Sequence, residues 1–125
     1  MRRKKEFCKE NQHQLTFSTR AKMNRIQILE DWILKTPTDP FLHFGVAMEY
    51  LSLGDTAAAL EKMEYVRNRF PNYLANYYQL AKLYETTGDN EKAIQTYEDG
   101  IALALQQKEM KTAGELRSAL EELTF

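Results

Sequence analysis

The chain has 125 residues, enough for one domain, and its 43% hydrophobic and 28% charged residues fit a soluble protein with a buried core. A formal net charge of −1 excludes a whole-molecule field that would gather nucleic acid or an anionic membrane. The single cysteine, Cys8, excludes an internal disulfide and fits a reducing, cytoplasmic setting.

Charge is unevenly spread. Residues 1–22 hold seven Lys/Arg against two acids, whereas residues 23–125 hold ten against sixteen. The first 22 residues therefore read as a basic tail. Within it, residues 1–17 are polar and without period, and disorder is expected because so little apolar surface cannot offset ordering entropy. The run Arg2, Arg3, Lys4, Lys5 would suit nucleic acid or anionic lipid, but short basic runs arise readily by chance and a solvated tail is the expectation. Met23, where the folded pattern begins, offers an alternative natural start. The opening MRRKKEFCKENQHQ lacks the apolar stretch of a secretory signal, and no apolar run approaches the ~18 residues of a membrane helix.

A first helix is predicted over 18–36, capped by Ser18 or Thr19 and ended by Pro37. Ile26, Leu29, Trp32 and Ile33 make its apolar stripe. Asp39 and Pro40 start the next helix, with Asp as N-cap and Pro where a missing N–H costs nothing. It runs to about Leu53 and is apolar on two faces: Phe41, Phe44, Ala47, Met48 and Leu51 on one, and Val46, Tyr50 and Leu53 on the other. Gly54 stops it and Asp55 caps a helix over 56–69 that buries Ala59, Leu60, Met63, Val66 and Phe70. Lys62, Arg67 and Arg69 are expected to face water.

The same pattern follows again. A helix over 73–86 carries Leu74, Tyr77, Tyr78, Leu80, Ala81 and Tyr84; Gly88 stops it, and Asp89 or Asn90 caps a helix over 91–106. That helix is expected to bury Ala93, Ile94, Tyr97, Ile101 and Leu105. Gly100 lies inside it at a cost of about 1 kcal/mol, which predicts close approach by a neighbouring helix. A last helix, 109–123, has one stripe of Ala113, Leu116, Leu120 and Leu123 and a charged back, the pattern of a terminal cap. Tyr50 and Tyr84, Gly54 and Gly88, Asp55 and Asp89, Ala59 and Ala93, and Ala47 and Ala81 each stand 34 residues apart. A period of this length signals stacked helical hairpins.

These residues resemble the tetratricopeptide repeat (TPR) family, a 34-residue helix–turn–helix. His43, Val46, Ala47, Tyr50, Ala59, Met63, Val66 and Pro71 meet its pattern in one unit; Tyr77, Leu80, Ala81, Tyr84, Ala93, Tyr97 and Gly100 meet it in the next. Within that match His43 stands at a usually apolar position and Val66 where a smaller residue is usual, and Leu105 stands where proline often ends a unit. Arg25 replaces a small alanine in the preceding half repeat, which suggests that nothing packs closely there. The resemblance implies an all-α, right-handed α-solenoid of antiparallel helix pairs over residues 23–125: half repeat 24–39, repeats 40–73 and 74–107, and capping helix 109–123. Length and architecture resemble small bacterial members with two repeats and a terminal helix.

The family binds protein segments in a concave groove lined by first helices. Carried over by position, that groove would show Phe41, Phe44, Met48 and Leu51 from the first unit. The second would add Ala75, Tyr78, Gln79, Lys82 and Glu85. Phe44, Met48 and Gln79 stand where one subfamily holds a C-terminal carboxylate, so no such clamp is expected. Phe41, Phe44 and Met48 read equally well as core. Catalysis finds little support: Cys8 has no fixed partner, His13 is in the tail and His43 is on a packed helix. Glu61, Glu64, Glu91 and Asp99 look like solvated faces. No phosphate loop, metal-ligand spacing or cofactor motif is present. The expected function is a non-enzymatic adaptor that binds a peptide or helix of another protein. The alternative is a homodimer whose apolar groove is closed by a second copy. Nucleic acid is the weakest candidate partner, and no membrane partner is expected.

Overall fold

Aspartate and proline set the helix starts. The Asp39 carboxylate accepts from the Phe41 backbone N–H at 3.0 Å, with Pro40 at the first helical position. Asp55 accepts from the Ala58 N–H at 3.1 Å and Asp89 from the Lys92 N–H at 3.3 Å. In the computed structural model, which describes residues 17–125, the chain forms six helices. They are α1 (Phe17–Lys35), α2 (Pro40–Ser52), α3 (Thr56–Arg69), α4 (Ala75–Thr86), α5 (Asn90–Gln106) and α6 (Met110–Thr124). No strand occurs among the described residues. Residues 17–22 belong to α1, so Ser18 and Thr19 lie inside its first turn and do not precede it. The remainder of the expected tail, with Cys8, His13 and the basic run, lies outside the described residues.

Each helix packs chiefly against its neighbours in the chain, which produces a stack of antiparallel pairs. Gly54 and Gly88 stop α2 and α4 with φ of +81° and +85°, a region that an L side chain adopts only with strain. Ala47, Ala59, Ala81 and Ala93 are fully buried, their small size letting paired helices approach. Met63, Leu80, Tyr97 and Leu116 fill the space between them and are also fully buried. Removing a side chain of this size from water contributes roughly 2 kcal/mol.

Two hydrogen bonds lie at the joint between the units. The Asn76 side-chain amide donates to the Met63 carbonyl at 3.0 Å, and the Tyr77 hydroxyl donates to the Pro71 carbonyl at 2.7 Å. Gly100 marks where α4, α5 and α6 converge. A Cβ there would lie 2.9 Å from Tyr77 Cβ and 3.1 Å from Leu116 Cδ1, so the close approach expected from the sequence is present.

The structure corrects several expectations. Trp32 is 53% exposed and is not part of the buried stripe, because α2 covers only the side of α1 that carries Ile26, Leu29 and Ile33. Leu105 is exposed, and Leu103 and Ala104 are buried in its place; these are the side chains that the phase of α5 turns inward. Arg25 is not idle, since its Nε meets the Glu49 carboxylate on α2 at 3.0 Å. Lys62 is half-buried, with its ammonium 4.8 Å from the centre of the Tyr65 ring. Arg67, Glu64 and Asp99 are not solvated faces. Arg67 pairs with Asp99 and donates to the Thr96 hydroxyl at 3.0 Å, and the Tyr84 hydroxyl donates to Glu64 at 2.5 Å. These four side chains and Thr96 bridge the cleft between α3 and α5, and Glu64, Arg67 and Tyr84 line, with Asn68, a hollow of about 420 Å³ that remains there.

Candidate functional site

The first helices of the stack, α2 and α4, carry the residues expected to form the groove, and α6 extends the same face. At the α2 end, Phe41 is 64% exposed. Phe44 is half-buried against Tyr73, ring centres 5.5 Å apart. Met48 and Leu51 are half-buried, packed on the core cluster from its outer side. The question of groove or core therefore has a mixed answer at these positions. Each of the three half-buried side chains spends one side on packing and leaves part of its surface to solvent.

On α4, Ala75 is exposed, and Tyr78, Gln79, Lys82 and Glu85 are half-buried. Tyr78 meets Tyr97 edge-on with ring centres 6.4 Å apart, which holds the phenol upright beside the core. The Lys82 ammonium lies 5.7 Å from the Tyr78 ring centre and 3.7 Å from the Glu85 carboxylate. Glu85 also accepts from the Tyr97 hydroxyl. Burial, followed by that hydrogen bond and the charge of Glu85, pushes the Tyr97 phenol well above its ordinary range. Glu85 is thus fixed from two sides, and its remaining capacity for a ligand is small.

Sequence reasoning missed the α6 contribution. A hollow of about 560 Å³ lies between α4 and α6, with Tyr78 and Lys82 on one side. Lys111, Gly114, Glu115, Ser118, Ala119 and Glu122 form the other. The signal was available: with Ala113, Leu116 and Leu120 turned inward, the intervening residues on one flank must continue the face begun by Tyr78 and Lys82. The face is graded as a result. It is aromatic and Met-bearing at α2 and polar, with charges of both signs, at α6.

The other chemistry-bearing residue, His43, is buried. Its Nε2–H donates to the Pro37 carbonyl at 2.8 Å, and its ring lies between Tyr65 and Phe70 with centres 5.2 and 5.5 Å away. This arrangement positions a turn and leaves no access for a substrate. Among the described residues no helix is long and apolar enough to cross a membrane.

Comparison with known proteins adds three findings. Residues 50–123 match the tetratricopeptide repeat family, a span that includes all of α3, α4 and α5 and most of α6. A TPR repeat-containing protein of Pseudomonas aeruginosa is 30% identical over 98 residues, covering 78% of this chain and 93% of that protein. Among solved structures, a tetratricopeptide repeat domain protein of Salinibacter ruber superposes with a TM-score of 0.67 at 34% identity, over 69% of this chain and 97% of that one. PcrH in complex with the chaperone binding region of PopD gives a TM-score of 0.74 at 20% identity, over 86% and 82% of the two chains, a likeness of fold.

Proposed function

Because the chain belongs to the tetratricopeptide repeat family, we propose that it is a non-enzymatic adaptor, at work in the cytoplasm, that holds a segment of another protein across its first-helix face. The observation that carries this reading is the graded face itself. Phe44, Met48 and Tyr78 are fixed by packing yet keep free surface, while Lys82, Lys111, Glu115 and Glu122 place charges of both signs around a hollow beside them. Preformed side chains of this kind bind without much ordering cost. A segment with an apolar half and a polar half fits the gradient, as an extended strand or as a helix laid along the face. PcrH, similar in fold, is seen in complex with the chaperone binding region of PopD, which supports a protein segment as the class of ligand. With two full units the face is short, and modest affinity is expected.

The test is comparative affinity capture from the native cell, with wild type beside Phe44→Glu and Lys82→Glu. A partner held by wild type and reduced at least tenfold by both variants, with helical circular dichroism unchanged, is the expected result. A partner held equally by all three would sink the reading.

One observation favours homodimerisation as a second reading. Phe41, at the start of the same face, is 64% exposed, and a second copy would cover it. Light scattering that shows only monomer across a wide concentration range would remove this alternative.

A further inference from the structure

The second helices form the opposite face, and two clefts run between them one repeat apart. In the later cleft, between α3 and α5, Arg67 pairs with Asp99 and Thr96, and Tyr84 pairs with Glu64. Subtracting the 34-residue period gives Ile33 for Arg67, Tyr65 for Asp99, Lys62 for Thr96 and Leu34 for Asn68. Glu30 and Tyr50 stand for Glu64 and Tyr84. The earlier cleft, between α1 and α3, therefore lacks the bridging pair and has apolar side chains in its place. It is an opening of about 530 Å³. Val46, Tyr50 and Ala58 make its floor, and Ile33, Leu34 and Tyr65 its walls. Leu34 is 83% exposed.

The rim has a definite sign. Glu30, Asp31 and Glu61 border the opening, and the one cation among its lining residues is Lys62, which lies over the Tyr65 ring. The complement of an apolar pit with an acidic rim is an apolar side chain with cationic neighbours. The folded body of another copy is a poor match, because residues 23–125 are themselves acidic in balance.

We propose that the cleft between α1 and α3 is a second docking site, independent of the first-helix face. It is fitted to a protein segment that presents a bulky apolar side chain flanked by lysine or arginine. The apolar side chain enters between Ile33, Leu34 and Tyr65 and rests on Tyr50, while the flanking cations meet Glu30, Asp31 and Glu61.

The test uses the full chain, 15N-labelled, and two acetylated hexapeptides. Each has a central phenylalanine–leucine pair, flanked on both sides by two lysines in one peptide and by two glutamates in the other. The lysine peptide should shift the amide resonances of Ile33, Leu34, Ala58 and Tyr65 saturably, and the glutamate peptide should bind at least tenfold more weakly. Ile33→Arg with Tyr65→Asp, which copies the bridge of the later cleft, should reduce binding at least tenfold while helicity and melting persist. Should that variant fail to fold, Glu30→Lys with Glu61→Lys on the exposed rim should abolish the preference for lysine. Lys82→Glu should leave binding unchanged, which separates this site from the proposed adaptor face. Equal binding of the two peptides, shifts centred on Tyr78 and Ser118, or full binding by the folded bridge variant would each overturn the proposal. So would cleft resonances that respond to dilution or salt without peptide and not to peptide, since a second copy or the chain's own basic start would then be the occupant.

Discussion

Between α3 and α5, Arg67 reaches across to Asp99 and Thr96; between α1 and α3, the same positions hold Ile33, Tyr65 and Lys62, and no such bridge forms. The backbone treats the two places alike, since α3 and α5 are both set down by a Gly-Asp turn with the glycine at positive φ. The side chains do not. Repetition fixes where a cleft falls, and three or four residues that escape the repeat decide whether it is bridged by charge or lined with hydrocarbon.

The strongest way to break this comparison is to force one unit's residue into the other. Gly100 corresponds to Val66, which is fully buried in its own unit. Gly100→Val would press methyl groups into Tyr77 and Leu116, where even a Cβ lies 2.9 Å from Tyr77 Cβ. A loss of about 3 kcal/mol is expected from overpacking, read as a lower urea midpoint with an unchanged slope.

A smaller effect should come from removing the bridge across the later cleft. Arg67→Ala removes the partner of Asp99 and Thr96, and the pair is partly exposed, so about 1 kcal/mol is expected. A double-mutant cycle with Asp99→Ala should return most of that as coupling; additive losses would mean that the two side chains stabilise the stack separately.

Alkaline pH sharpens the comparison from a different side. Burial first, and then the hydrogen bonds to Glu64 and Glu85, push the Tyr84 and Tyr97 phenols well above their ordinary range. The folded chain therefore keeps protons that the unfolded chain releases near pH ~10. This stability is fully present below that pH and is lost as pH rises above it. Melting temperature should be flat to about pH 9 and then fall, and Tyr84→Phe or Tyr97→Phe should make the fall shallower. The smallest effect concerns Lys108, whose φ of +62° is one that glycine adopts freely. Lys108→Gly should stabilise by about 0.5–1 kcal/mol, as a slightly higher melting temperature.

Much of the fold was legible because its signals are local. Asp39-Pro40, Gly54-Asp55 and Gly88-Asp89 mark helix ends by their own backbone chemistry, and the 34-residue pairs show that the units repeat. Even a long-range fact, the crowding at Gly100, could be read from the cost of glycine in a helix. What could not be read was pairing between units. Arg67, Glu64 and Asp99 look like water-facing charges because nothing in a single helix announces a partner 32 residues away. Trp32 misled for a similar reason: an apolar stripe shows that a face prefers cover, not that the cover exists. The candidate site was half legible. Positions on α2 and α4 followed from the repeat, but α6 was read as a terminal cap with a charged back, and part of that back, Lys111 and Glu115, borders the hollow beside Tyr78 and Lys82.

The turn at Lys108 bears on how such a chain could grow. The Lys108 N–H bonds to the Leu105 carbonyl and the Glu109 N–H to the Ala104 carbonyl, the same spacing seen at Gly54–Asp55 and Gly88–Asp89. Those two turns lie within a hairpin; this one lies between units, where Pro71 sets a different geometry earlier in the chain. The last helix is consequently laid down by the wrong class of joint for adding another copy in phase. A 34-residue block inserted at the Pro71 joint would keep step with its neighbours and lengthen both faces by one helix each.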